Sequence, residues 1–153
     1  MNTGGLSIAP GAIVCVDTVI SGPVTIGTVV HPQCQIIAER GPIIIGQNNI
    51  ISESARIINR RPETMLIGDF NVLEARSPQV LEGTSVGNQC VVAPTCSTIE
   101  NDKLADFSVI YGDTNCRQTQ KSDQKAQMTL HIKHLKYLHD TLPRYNHVRK
   151  PES

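Results

Sequence analysis

The sequence predicts a mainly β fold, a left-handed parallel β-helix built from hexapeptide repeats, followed by a C-terminal α-helix. Isoleucine, valine or leucine recurs about every six residues through most of the first 112 residues. That period fits neither a helix nor an ordinary strand, and it is typical of a hexapeptide solenoid. A small residue also stands four places after most of these aliphatics. Three such units make one triangular coil, with a short parallel sheet on each side of the prism.

Each unit has two inward positions. The leading aliphatic should pack on its equivalents in neighbouring coils; the set is Ile8, Val14, Ile20, Ile26, Ile45, Ile51, Ile57, Ile67, Leu73, Val86, Val92, Leu104 and Ile110. The position four residues later must be small in a narrow interior; these residues are Ala12, Thr18, Val24, Ala55, Ser77, Cys90, Cys96 and Ser108. Glycines and asparagines should supply the tight or left-handed corners: Gly27, Gly46, Gly68, Gly87, Asn48, Asn49, Asn71 and Asn88.

The repeat divides the chain into three parts. Residues 1–112 form the β-helix of about five to six coils, residues 113–121 a polar linker, and residues 122–153 the helix and tail. The register is irregular at three kinds of place. Loops interrupt it near Gly41 and at residues 59–64, it weakens at residues 77–81 and 98–103, and its spacing contracts between Ile26 and Val30.

A second apolar pattern follows the repeat. Its members recur at helical spacing and are Met128, Ile132, Leu135, Leu138 and Leu142. They predict a helix capped by Ser122 or Asp123 and ended by Pro143. Such a stripe must bury against a flat face of the prism or against a partner protein.

Composition narrows the classes of partner. The 153 residues carry a formal net charge of zero, so no general electrostatic attraction to nucleic acid is expected. The N-terminal segment lacks the pattern of a signal peptide, and no apolar run has the length of a membrane span. We therefore expect a cytosolic protein that neither binds nucleic acid nor inserts into a membrane.

The five cysteines favour packing over chemistry. They are an odd number without a C-x-x-C pair, so neither a disulfide framework nor a zinc ribbon is indicated. Cys34, Cys90 and Cys96 fall at the small inward position, where a thiol acts as a compact apolar group.

Two enzyme classes use this repeat, and their signatures are weak here. Gamma-class carbonic anhydrases hold zinc with three histidines, whereas the coils contain one, His31. Hexapeptide acyltransferases need a histidine base, for which His31 is the candidate, and a His31–Cys34 pair invites a nucleophile hypothesis. His131 and His134 share a helix face but lack a third metal ligand. We expect no catalytic, cofactor-binding or metal-binding residues; a homotrimeric enzyme remains the alternative.

Five segments are more specific than the repeat itself. They are residues 7–16 (SIAPGAIVCV), 36–46 (IIAERGPIIIG), 56–59 (RIIN), 109–112 (VIYG) and 142–147 (LPRYNH). Together they resemble the dynactin subunit 6 family over nearly the whole chain. The resemblance implies a non-catalytic subunit of the dynactin pointed-end complex, which helps cap an actin-like filament and supports dynein-driven transport and cargo or adaptor attachment. The implied neighbours are dynactin subunit 5, the pointed-end actin-related protein and the large zinc-containing dynactin subunit.

A solenoid without an active-site constellation still offers flat faces and two open ends to partners. We expect these surfaces to dock lengthwise against a homologous solenoid. The expected contact residues are Ile110 of the last coil and the helical stripe Met128, Ile132, Leu135, Leu138 and Leu142.

Overall fold

The computed structural model describes residues 5–74, 76–112, 114–119 and 124–149, and it confirms the predicted solenoid and C-terminal helix. Equivalent residues of successive coils pair in parallel, 18 to 22 residues apart, at Ile8, Ile26, Ile45, Ile67, Val86 and Leu104. These pairings define about five coils.

The strands fall into three columns, which we name faces A, B and C. Face A contains β1 (Leu6–Ile8), the first halves of β4 (Val24–Val30) and β6 (Ile43–Ile51), β8 (Met65–Ile67), β11 (Ser85–Val86) and β13 (Lys103–Leu104). Face B contains β2 (Ile13–Val14), the second halves of β4 and β6, β9 (Val72–Leu73), β12 (Val91–Val92) and β14 (Ser108–Tyr111). Face C contains β3 (Val19–Ser21), β5 (Gln35–Ala38), β7 (Arg56–Asn59) and β10 (Gln79–Val80).

The core contains the predicted leading aliphatics, together with buried residues that the repeat did not assign: Val30, Ile36, Ile43, Met65 and Val80. Twelve of the thirteen leading aliphatics are buried, and Ile20 packs against them while partly exposed. The small inward position is confirmed at Ala12, Val24, Ala55, Cys90 and Cys96, and Cys34 is fully buried there as well. The prediction for Ser77 is wrong, because Ser77 is exposed at φ 57° and Pro78 is buried in its place.

The repeat spacing is short between Ile26 and Val30 because the chain passes this corner as a continuous strand, without a turn. Strand β4 continues from face A to face B, while β6 beside it carries two additional residues at register shifts around Gly27. Thr28 is therefore buried, and its hydroxyl donates to the Asn49 carbonyl at 2.5 Å.

Above Thr28, the same corner contains a ladder of buried asparagines. The Asn49 side chain donates to the Gly68 carbonyl at 2.8 Å and accepts from the Asn71 backbone N–H at 2.8 Å. The Asn71 side chain repeats both bonds one coil further, to Gly87 and Cys90. Asn49 and Asn71 thus lie at the predicted corner but do not adopt a left-handed conformation, whereas Asn48 does, with φ 61°.

A second ladder lies on the exposed side of this corner. Carboxylate and amide oxygens of Asp69, Asn88 and Asp106 each accept a backbone N–H from the coil below, at 2.8 Å. Gly46, Gly68 and Gly87 lie directly beneath these oxygens. None of these glycines is among the described residues with positive φ, so the corner needs glycine for close approach and not for a left-handed backbone.

The close contact between Gly68 and the next coil predicts the effect of adding a methyl group at this residue. A Cβ at residue 68 would collide with Asn88 Oδ1 and with the Gly87 carbonyl. We expect Gly68→Ala to lower the free energy of unfolding by about 3 kcal/mol in urea titrations. The matched control is Ala105, which holds the equivalent position in the last coil. Ala105→Gly should cost about 1 kcal/mol or less, and equal effects would contradict the close-approach explanation.

Strand β15 (Cys116–Thr119) pairs antiparallel with β14 inside the segment predicted as a linker. Helix α1 (Gln124–Tyr145) then returns along the solenoid. The predicted caps Ser122 and Asp123 lie outside the described residues. The helix does not end at Pro143 as predicted but two residues later, because a proline in the last turn removes a single backbone bond. Just beyond that turn, the Asn146 N–H still bonds the Leu142 carbonyl at 3.0 Å.

Candidate interaction surfaces

Helix α1 covers face B, and the outward side chains of that face explain why. Registered neighbours Ile13, Val29, Ile50 and Val72 form an aliphatic column on the outside of the solenoid. Face A places Ser7, Thr25, Ile44, Leu66, Ser85 and Lys103 at its outward positions. An apolar helix stripe gains most by burying the continuous aliphatic column, so α1 docks on face B.

The structure brings three of the predicted contact residues together. Leu135, Leu138 and Leu142 form a buried cluster with Ile13, Cys15, Val29 and Ile50. The sequence left two possibilities for these leucines, burial against a face of the prism or against a partner protein. The structure shows the first. These leucines are occupied by the chain's own face B.

The other three predicted residues lie elsewhere. Ile110 is fully buried in the solenoid core, so it cannot meet a partner, and substituting aspartate there would test folding. Met128 is half-buried and Ile132, one turn later on the same face of the helix, is 41% exposed. Met128 and Ile132 are thus the predicted contacts that reach the surface.

Two histidines tie α1 to the corner between faces A and B. His131 Nε2 lies 2.6 Å from the Asn48 carbonyl oxygen, and its ring meets Phe70 edge-on at 5.7 Å. His139 Nε2 lies 2.7 Å from the Gly11 carbonyl oxygen. The helix is therefore fixed by polar contacts at two points, seven residues after its start and six residues before its end, as well as by its leucines.

Burial of two histidines predicts a pH dependence. Desolvation, with His134 nearby, lowers the pKa of His131 despite its bond to Asn48. Desolvation likewise lowers the pKa of His31, which the Ile51 carbonyl and Glu53 partly oppose. The unfolded chain binds more protons below about pH 6.5, so this contribution to stability is present above that pH and is lost as pH falls through the folded pKa values.

We therefore expect the unfolding temperature to fall between pH 7.5 and pH 5, measured by circular dichroism at a fixed scan rate. Replacing both His31 and His131 by glutamine should flatten the profile over this range. A wild-type profile that is already flat would contradict the assignment.

The last residues of the described chain close the first coil. The Val16 N–H donates to the His147 carbonyl at 2.8 Å, and the Arg149 N–H donates to the Val14 carbonyl at 2.7 Å. The Arg149 guanidinium also donates to the Thr18 carbonyl at 3.1 Å. The tail thus pairs with the open edge of β2, which protects that edge from adding a foreign strand.

At the opposite end, β15 covers the edge of face B. Arg117 on this strand makes a bidentate ion pair with the buried Asp102. The Arg117 hydrogen bonds lower the pKa of Asp102 against the effect of its burial. Strand β15 is therefore held both by backbone pairing and by a charge-assisted contact.

The geometry does not favour the hypothesis of a His31–Cys34 nucleophile. His31 Nδ1 lies 3.0 Å from the Ile51 carbonyl oxygen. Cys34 is fully buried and donates to the Ser52 carbonyl at 3.0 Å, and desolvation raises its pKa to about 12. A thiol with that pKa stays protonated near neutral pH. Within the described ranges, no group of three His, Cys, Asp or Glu side chains is placed to hold a metal ion.

The side of α1 that faces away from the solenoid carries a feature missed from the sequence. Leu130 and Tyr137 are 65% and 63% exposed and lie seven residues apart. Lys133 and Arg144 are exposed on the same side of the helix. We name Leu130, Lys133, Tyr137 and Arg144 the outer strip. The spacing of Leu130 and Tyr137 was visible in the sequence, but a second stripe has meaning only once the first is known to be buried.

A groove of about 250 Å³ adjoins the strip under the first half of the helix. Val72 and Val91 line it from face B, and Met128, Leu130 and His131 line it from α1. The aliphatic column of face B continues into this groove, so the helix leaves part of that column uncovered.

The comparisons with known proteins agree with this architecture. The chain is 35% identical to dynactin subunit 6 of Danio rerio over 176 aligned residues, which cover 95% of this chain and 88% of that protein. It is 36% identical to the Xenopus tropicalis protein, covering 96% and 86%. It is 35% identical to the Dictyostelium discoideum protein, covering 91% and 85%. The chain belongs to the dynactin subunit 6 family.

Solved structures confirm the fold of this family member. A Bacillus cereus protein, whose description as an acetyltransferase is itself provisional, matches 88% of this chain and 90% of its own, with a TM-score of 0.52. At 13% sequence identity, this likeness shows a shared hexapeptide-repeat fold alone. No family model matches the chain. In the part of the chain that the structure describes, no helix has the length and apolar character needed to cross a membrane.

Proposed function

We propose that this dynactin subunit 6 family member is a non-catalytic subunit of the dynactin pointed-end complex. Its role there is that of a scaffold that supports dynein-driven movement on microtubules and the attachment of cargo or adaptors. The observation that carries the proposal is the similarity to dynactin subunit 6 proteins over 91–96% of the chain, helix included.

The architecture supports a scaffold. On face B, the two described ends are covered by β15 and by the tail at residues 147–149. Because the edges of β2 and β14 are occupied, partners should meet side-chain surfaces and not add strands there. The proposed neighbours are dynactin subunit 5, the pointed-end actin-related protein and the large zinc-containing dynactin subunit, in a cytoplasmic, cytoskeleton-associated complex.

The exposure of side chains supports a choice of candidate contacts. Met128 and Ile132 remain as proposed contact residues because they reach the surface beside α1. Face A adds Ile44 and Leu66, which are registered neighbours with 41% and 53% exposure.

The test is gentle purification of the tagged full chain from its own cells, with size exclusion and quantitative mass spectrometry. We expect a large assembly that contains the actin-related protein and dynactin subunit 5 at a fixed ratio. A bare homotrimer with stoichiometric zinc would overturn the proposal in favour of an enzyme related to gamma-class carbonic anhydrases.

A further inference from the structure

We propose that the outer strip of α1 docks an acidic helical segment of another subunit of the assembly. This inference rests on the proposed function, because it names the chemistry of one partner of this chain. The strip is the side of α1 opposite the leucines that bind face B. Helix α1 can therefore pack on face B and bind the acidic segment at the same time.

The spacing of the strip fits a helix. Leu130, Lys133, Tyr137 and Arg144 stand at positions i, i+3, i+7 and i+14 of α1. Apolar side chains at heptad spacing form the seam along which two helices pack. The strip is about 21 Å long, which matches a partner helix of about four turns.

The residue types fit a protein partner. A leucine and a tyrosine that are each more than 60% exposed, on one line, leave a large apolar area in water. Tyrosine is enriched among residues that contribute most to protein interfaces, since it buries a rigid ring while its hydroxyl keeps a polar partner. The stems of Lys133 and Arg144 can pack beside the apolar side chains while their charges reach outward.

The charges of α1 indicate the charge that a partner should carry. The described helix carries the cations Lys125, Lys133, Lys136 and Arg144, and Asp140 is its one carboxylate. Asp140 is paired with Arg144 at 3.2 Å and stands one turn after Lys136, so four cations and one carboxylate leave the described helix a net charge of +3. An acidic segment complements this surface, whereas a second copy of α1 would repel it.

The first experiment locates the partner in the intact assembly. A photo-crosslinking phenylalanine analogue replaces Tyr137 in the tagged full chain, and a matched variant carries it at Leu66 on face A. We expect Tyr137 to crosslink to a peptide of another subunit that is rich in Asp and Glu, and Leu66 not to reach that peptide. Crosslinks from Tyr137 to this chain itself, to a basic or neutral peptide, or to nothing above background would overturn the inference.

The second experiment measures the contribution of the strip. Leu130→Glu and the double variant Lys133→Glu, Arg144→Glu are each expected to reduce the recovery of the crosslinked subunit at least tenfold at 150 mM salt. Val19→Glu is the matched control, because it adds the same charge at an aliphatic residue of face C that is 56% exposed and is not a proposed contact. Unchanged melting temperatures show that each variant is folded.

The remaining outcomes separate the two proposals. If the wild-type chain is not recovered in a large assembly, the proposed function and this inference both fail. If the wild-type chain is in the assembly and the strip variants retain every subunit, only this inference fails. Binding of the purified chain to vesicles containing 30% phosphatidylserine, lost in the strip variants, would replace the acidic protein segment with a lipid surface.

Discussion

Replacing Asn71 by leucine is expected to lower the free energy of unfolding by about 2–5 kcal/mol, a large part of the stability of a domain of this size. Asn71 is 2% exposed, and its side chain bonds the Gly87 carbonyl at 2.9 Å and the Cys90 N–H at 2.7 Å. Leucine has a similar volume but offers neither group. The Gly87 oxygen and the Cys90 N–H would then lose these partners, and water has little access to them at this corner.

Asn88 is the matched control. It belongs to the second ladder of the same corner, where its side-chain oxygen accepts the Asp69 N–H at 2.8 Å, but it is exposed. Water can replace that bond, so Asn88→Ala should cost about 1 kcal/mol or less. The measurement is the urea midpoint at constant slope for both variants. Equal losses would show that the buried ladder is no more important than the exposed one.

The two ladders show where sequence reasoning reached its limit. The repeat predicts that Ile45, Ile67 and Val86 point inward, because the period alone places them. It does not distinguish Asn48, which adopts a left-handed conformation, from Asn49, which hydrogen-bonds to the next coil. Asparagine suits both roles, and the choice depends on which residue of the neighbouring coil lies above it. That information is in the stacking of coils and not in the local pattern.

The position of α1 could be predicted from the sequence more fully than the two ladders could. The stripe of leucines predicts burial, and the outward aliphatics Ile13, Val29 and Ile50 identify face B once the coils are aligned. From the sequence, a face of the prism and a partner protein remained alternatives for the stripe. The shortened repeat spacing near Thr28 prevented Val29 from being assigned to an outward position. The pairing of residues 147–149 with β2 has no sequence signal, since three residues carry no period.

Replacing Leu138 by aspartate is expected to detach α1 from face B at a cost of about 3–5 kcal/mol. Leu138 is 5% exposed in the cluster with Ile13 and Val29, and it is flanked in that cluster by Leu135 and Leu142. A carboxylate there would be buried against aliphatic groups without a counter-charge in the cluster. Releasing the helix avoids that burial, so hydrogen exchange in α1 should rise towards the rate of an unprotected chain while the solenoid core stays protected.

Tyr137→Asp is the control for this prediction, because it introduces the same charge one residue away on the outer strip, where Tyr137 is 63% exposed. Exchange in α1 should be unchanged in this variant. The two variants also separate two ways of losing a partner. Leu138→Asp removes the platform that orients the strip, whereas Tyr137→Asp changes the strip on an intact platform. If exchange rises equally in both, α1 is not held by its leucines, and the assignment of face B as its docking surface is wrong.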